Sequence, residues 1–187
     1  MAIQYYVASS LDGFIAAPGD DLDWLMAFGT AEFQEHYDAF MAGVGAIVMG
    51  SSTYGFILGE GPDAWTYGAM PSWVLTSREL PSIEGADIRF ASGPIATVLA
   101  AAVDAADGRN VWLVGGGDVA AQASAAGMLD ELHVTVMPVI LGSGTPLLPV
   151  RGGADGVGPT RLTLIESTTF PSGALELVYS VAGAPGV

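Results

Sequence analysis

Two apolar runs, Ala46-Ile47-Val48-Met49 and Val111-Trp112-Leu113-Val114, each stop on glycine and pass through a turn of small residues into a helical pattern. This succession constrains the fold more than any other feature, because parallel neighbouring strands need a long crossover, most often a helix. After Gly50, Ser51 or Ser52 is placed to cap a short helix running through Phe56. After Gly115-Gly116-Gly117, Asp118 is placed to cap an alanine-rich helix that Gly127 ends. A first strand is expected from Ile3 to Ala8, turning at Ser10-Leu11-Asp12-Gly13, with later strands at Trp73 to Leu75, Ile88 to Phe90 and Leu132 to Val139. Pro94 opens a helix whose Ile95, Val98, Leu99 and Val103 share one face. From Thr30 as a cap, Phe33, Tyr37, Phe40 and Met41 recur at helical spacing opposite Glu32, Glu35 and Asp38.

The last third changes character. Arg161 to Phe170 and Ala174 to Val181 are β-rich and joined by Pro171-Ser172-Gly173, a hairpin signature. The expected fold is therefore a three-layer α/β/α sandwich over residues 1–187, one domain, with a mixed, mostly parallel sheet and a C-terminal antiparallel hairpin. Arg151 to Pro159, with four glycines, reads as a loop.

Composition removes most other chemistries. The chain has no lysine and no cysteine, five arginines against 20 acids, and a formal charge of −15. Lysine Schiff bases, thiolate nucleophiles and zinc-thiolate sites are excluded, and two histidines cannot form a three-histidine metal centre. Phosphate backbones are bound through clustered Lys and Arg, so nucleic acid is not an expected partner. The first residues have no basic region, and no window approaches about 18 unbroken apolar residues, so no membrane partner is expected and the location reads as cytoplasmic.

An acidic chain must hold an anionic ligand locally, and three turns offer the means. Gly115-Gly116-Gly117 follows a strand and opens a helix, so its amides suit a pyrophosphate; its spacing to Ala120 fits the relaxed dinucleotide fingerprint. A tight helix-packing turn explains the same glycines. Gly50-Ser51-Ser52-Thr53 is a second such turn, for which ordinary capping is the plainer reading. Thr76-Ser77-Arg78, just past a strand end, offers a hydroxyl with a guanidinium suited to a phosphate monoester, or else a solvated loop arginine.

In order along the chain, Val7-Ala8-Ser9-Ser10-Leu11-Asp12-Gly13-Phe14-Ile15-Ala16, Met49-Gly50-x-x-Thr53-Tyr54, Val114-Gly115-Gly116-Gly117, Leu129-Asp130-Glu131-Leu132 and Pro138-Val139-Ile140-Leu141-Gly142-Ser143-Gly144 form one set. The set resembles the dihydrofolate reductase-like superfamily, particularly the reductase domain of bifunctional riboflavin-biosynthesis proteins. The resemblance implies an NADPH-dependent reductase acting on a C=N or C=O bond of a small heterocyclic or sugar-linked metabolite, such as the phosphoribosylaminouracil intermediate of that pathway. It implies a cofactor site at Ala8, Ile15, Gly50, Ser51, Ser52, Thr53, Val114, Gly115, Gly116, Gly117, Asp118 and Val119, with Thr76, Ser77 and Arg78 facing the ribose 2′-phosphate. Trp24, Gln34 and Tyr54 are the implied substrate residues, Asp12 or Glu35 the catalytic candidates, and a homodimer with Leu132 to Met137 near the contact the implied assembly. No metal is expected.

The chain departs from the pattern twice. Where the folate enzymes carry a pterin-binding acid on the first helix, the spacing lands on Gln34, between Glu32 and Glu35. Where the riboflavin-pathway reductases often carry glutamate before their glycine pair, it has Gly115. Dihydrofolate reduction and non-catalytic nucleotide binding stand as alternatives. Asp12 also suits a turn-stabilising role and Trp24 a packing one; His133 reads as structural and His36 as solvated or paired.

Overall fold

Short β-prone runs separated by helical patterns form, in chain order, β1 (Ile3–Ser10), β2 (Phe14–Ala16), α1 (Asp23–Met26), α2 (Gln34–Ala42), β3 (Val44–Gly50) and α3 (Ser51–Gly59). A 3-10 turn at Pro62–Ala64 leads to β4 (Ser72–Leu75), β5 (Ile88–Ala91), α4 (Ile95–Ala105), β6 (Asn110–Gly115) and α5 (Gly117–Ala125). Then come β7 (Glu131–Met137), β8 (Thr145–Pro146), β9 (Leu162–Thr169) and β10 (Leu175–Val181). The structure, a computed structural model, describes residues 1–149 and 159–181.

Eight strands make one sheet in the order β5-β4-β3-β6-β1-β7-β10-β9. It is parallel from β5 to β7, while β10 runs antiparallel to both of its neighbours. Helices cover both faces, giving the three layers read from the sequence. Ile3, Tyr5, Val48 and Leu113 pack with Val98 and Leu99 of α4 and Val119 of α5. On the opposite face Ile47, Met49 and Trp112 pack with Tyr37 and Phe40 of α2 and Ile57 of α3. Burial from both sides explains why β3 is apolar from Val44 to Met49 rather than alternating. Among the described residues, no helix is long and apolar enough to cross a membrane.

Several local expectations are corrected. Thr30 does not cap α2: its carbonyl closes a separate turn with the Phe33 amide (3.0 Å), and α2 starts at Gln34. β2 and β8 pair in a small second sheet, which no sequence period announces at such lengths. Leu132 to Met137, read as lying near a subunit contact, is flanked by β1 on one edge and β10 on the other. The glycine-rich stretch expected as a loop lies, apart from Pro159, outside the described residues.

Candidate functional site

Parallel pairing of β3 with β6 sets Met49 opposite Gly115, so the two glycine turns emerge side by side at the strand C-termini. A Cβ on Gly50 would stand 3.4 Å from Val119 Cγ2 and 3.7 Å from the Gly116 amide nitrogen. The expected caps are not used. The N-caps of α3 and α5 are Gly50 and Gly116, and neither helix has a side-chain cap hydrogen bond. Ser51 instead accepts from Arg78, and the Asp118 carboxylate accepts from the Gln122 amide one turn later (2.9 Å). Two helix starts therefore present backbone amides without a side-chain cap, the arrangement that favours an anion. Gly117 permits the close approach of β8: a Cβ there would collide with the carbonyl oxygens of Pro146 and Leu147. The Gly115–Gly116 peptide is cis.

The third turn joins them because β4 is the other neighbour of β3, with Leu75 opposite Gly50. Thr76 Oγ1 accepts from the Arg78 amide at 2.9 Å, which bends the Thr76-Ser77-Arg78 turn back. From there Arg78 Nη2 donates to Ser51 Oγ at 3.1 Å. The only described arginine near these turns thus stands at the first residue of α3.

Two adjoining hollows open beside this edge. One, of about 280 Å³, is lined by Ile15, Ala16, Ser52, Thr53, Val114, Gly115 and Gly116, together with Asp20, Leu22, Phe56 and Thr145. The other, of about 360 Å³, is lined by Tyr6, Phe33, Gln34, Tyr37, Trp112, Thr135 and Met137, together with Met26, Gly29 and Thr30. Val7, Ala8 and Leu25 line both, so the two form one continuous cleft. Burial pushes the Tyr6 phenol well above its ordinary pKa, with the Glu176 charge adding to the rise and a bond to Thr135 opposing it. Burial, then the Asp38 charge, raises Tyr37 too. Both rings keep their protons near neutral pH.

Not every expected residue reaches the cleft. Asp12 lines neither hollow: Oδ1 accepts from Ser10 Oγ (2.7 Å) and the Leu141 amide, and Oδ2 accepts from the Gly142 amide. Its carboxylate ties the end of β1 to the 141–142 segment, and those bonds hold its pKa below the usual range. Glu35 is exposed and lines neither hollow; Glu32 accepts from the Ser172 amide. Tyr54 is fully buried and donates to the Pro81 carbonyl at 2.6 Å, inside the core rather than the cleft. Trp24 packs with Met137, Phe170 and Phe33 behind the ring-lined hollow. Of the substrate candidates only Gln34 lines a hollow, and its amide donates to the Asp38 carboxylate at 2.8 Å. Val119 is buried beneath Gly50, and the Asp118 side chain lines a separate surface hollow. His36 contacts Glu176 at 2.9 Å and His133 contacts Glu131 at 3.0 Å, both outside the cleft.

Tyr6, Tyr37, Trp112 and Thr135 were missed as cleft residues. Period-two alternation puts Tyr6 with Ala8, and Thr135 with Met137, on common strand faces. Which strands then adjoin is not a local property: Ala8 meets Thr135 only through the β1–β7 register.

Among known families, the model of the RibD C-terminal domain matches residues 58–175. The chain belongs to the RibD C-terminal domain family. It is 32% identical, over 76% of its own length and 79% of the other's, to the uncharacterized protein YwjB of Bacillus subtilis. The RibD-type fold extends to solved structures. A Shewanella protein named for riboflavin biosynthesis superposes with a TM-score of 0.79 at 24% identity, covering 97% of this chain and 99% of that one. Enterococcus faecalis dihydrofolate reductase, complexed with NADP(H), superposes with a TM-score of 0.57 at 19% identity, covering 97% and 96%.

Proposed function

We propose that this protein is an NADPH-dependent reductase, acting on a C=N or C=O bond of a small heterocyclic metabolite. One observation carries the reading: two glycine-led helix starts lie side by side, with Arg78 3.1 Å from Ser51 at one of them, and border a hollow that adjoins the ring-lined one. Those residues fit a phosphorylated dinucleotide. The amides at Gly50 and Gly116 suit a pyrophosphate, and Arg78 suits a ribose 2′-phosphate. Ala8, Ile15, Val114 and Thr53 provide small or apolar walls for the rest of the cofactor half. The presence of NADP(H) in the dihydrofolate reductase of like fold supports the choice of donor.

When bound, the dihydronicotinamide supplies the hydride, and the protein supplies position and exclusion of water. Tyr6, Tyr37 and Trp112 hold a planar ring by its faces and edges, and the Gln34 amide and Thr135 hydroxyl fix its orientation. Asp12 and Glu35, outside the cleft, have no contact with substrate in this reading. The absence of a carboxylate along the described ring-lined hollow also favours, as a second reading, a nucleotide-binding protein without turnover.

The deciding experiment is thermal denaturation with NADPH, NADH and no ligand. A ligand that binds only the folded state raises its stability, so NADPH is expected to raise the melting temperature most. A folded protein indifferent to saturating NADPH overturns the proposal, and binding without oxidation of NADPH by any offered substrate selects the second reading. The proposed working form is a cytoplasmic homodimer, checked by light scattering against the 19.1 kDa chain mass.

A further inference from the structure

We infer that a hollow outside the cleft, between α2 and the β1-β7-β10-β9 part of the sheet, binds a small primary ammonium compound. The hollow has a volume of about 280 Å³ and shares no lining residue with either half of the cleft. Its floor is the sheet face on which Gln4 of β1, His133 of β7, Glu176 of β10 and Glu166 of β9 stand, and α2 closes one side with His36 and Phe40. The inference does not depend on the reductase reading, because none of these residues belongs to the cofactor or ring-lined hollow.

Glu176 sets the charge of the ligand. It is 7% exposed and is the one ionisable side chain among the buried described residues. A carboxylate taken out of water needs a counter-charge and hydrogen bonds to offset its lost hydration. Its Oε2 lies 2.9 Å from His36 Nδ1, yet the two are not aligned as a hydrogen bond and no other donor reaches that oxygen. His133, the second histidine on the wall, is turned to Glu131 at 3.0 Å instead.

Gln4 sets the hydrogen-bonding character. Also 7% exposed, it donates its amide nitrogen to Glu131 Oε2 at 2.6 Å, which leaves its Oε1 as a buried acceptor without a partner. β7 separates β1 from β10, so unsatisfied acceptors from two strands that are not neighbours line one hollow. Glu166, exposed on the edge strand, adds a second carboxylate to its wall. Buried polar atoms are rarely left unpaired, and here both point to a missing donor.

Water supplies donors but brings no charge to Glu176. A divalent ion brings charge, but among the described residues no three His, Cys, Asp or Glu side chains are placed to hold one. An ammonium group brings both, as a compact positive charge with three donors and no acceptor. Ala39, Phe40 and Val178 give the same hollow an apolar part, which suits a short alkyl tail. The formal charge of −15 concentrates cations around the chain.

The test is calorimetry and thermal denaturation of the full chain at low salt with n-butylammonium. Tetramethylammonium, with the charge but no N–H, and Mg²⁺ are the comparison ions. n-Butylammonium is expected to bind with a Kd below about 1 mM, the floor of weak specific affinity, and to raise the melting temperature. Tetramethylammonium is expected to bind at least about tenfold more weakly. Glu176→Gln, which keeps the shape and removes the charge, is expected to weaken n-butylammonium by about tenfold or more. Should that variant fail to fold, Glu166→Gln on the exposed edge strand carries the test, with an expected loss of about two- to fivefold. No binding at about 1 mM, equal binding of tetramethylammonium, displacement of n-butylammonium by equimolar Mg²⁺, or no loss in the folded variant each overturns the proposal.

Discussion

Arg78 and Ser51, 27 positions apart, are joined by a hydrogen bond from the guanidinium Nη2 to the serine Oγ across 3.1 Å. The bond locks the turn after β4 onto the first residue of α3 and holds the one described arginine near the glycine turns beside a helix N-terminus. Arg78→Ala is expected to weaken NADPH by tenfold or more, since a charge-assisted hydrogen bond contributes roughly 1.5–3 kcal/mol. NADH, without the 2′-phosphate, should change far less. Parallel titrations of the two cofactors check this, and equal losses would remove Arg78 from the 2′-phosphate site.

Two glycines, one at the start of α5 and one inside α3, predict opposite outcomes. A methyl on Gly117 meets the Pro146 and Leu147 carbonyls, backbone atoms that cannot step aside. Gly117→Ala should cost about 1–3 kcal/mol by overpacking, and should loosen β8 from the cofactor half. Gly55, exposed inside α3 with nothing within 4 Å of its would-be Cβ, should gain about 0.5–1 kcal/mol as alanine. Chemical denaturation of both variants reads the contrast directly.

Asp12 sets an acid-side dependence. Its folded pKa is lowered by the Ser10 hydroxyl first and the Leu141 amide second, so the carboxylate form is the one the fold stabilises. That stability is present above the unfolded value near ~3.9 and is lost as pH falls through the lower folded value. Melting temperature should therefore drop on acidification below about pH 4. Asp12→Asn should flatten part of that drop while lowering stability at neutral pH; an unchanged acid limb in the variant would assign the drop to other carboxylates.

Dihydrofolate should be a poor substrate. Among the described residues no carboxylate lines the ring-lined hollow to pair with a protonated pterin: Gln34 lines it as a neutral amide, and Glu35 is exposed outside the cleft. Oxidation of NADPH with dihydrofolate is expected to run far below ordinary enzymatic rates of order 1 s⁻¹. Turnover at or above that rate would point back to Glu35 or Glu32 as the acid.

Much of this was legible from residue order. The β-α alternation, the C-terminal hairpin at Pro171-Ser172-Gly173 and the three small-residue turns follow from periodicity and turn chemistry, which act over one or two turns of chain. Capping was misread for the same reason. Serine and aspartate are good caps locally, but Ser51 accepts from a guanidinium 27 positions on, and Asp118 from its own helix. Local preference was outweighed by partners delivered from elsewhere.

The cleft itself was not legible. That Gly50 stands against Gly116, with Thr76 and Arg78 beside them, depends on β4, β3 and β6 being neighbours in the sheet, and that Thr135 meets Ala8 depends on β7 lying beside β1. Residue order marks where strands begin and end, because backbone preference and side-chain period are energies of near neighbours. It leaves open which strands adjoin, because that is fixed by burying both faces of the sheet under four helices at once, a condition met by the whole chain and by no segment of it.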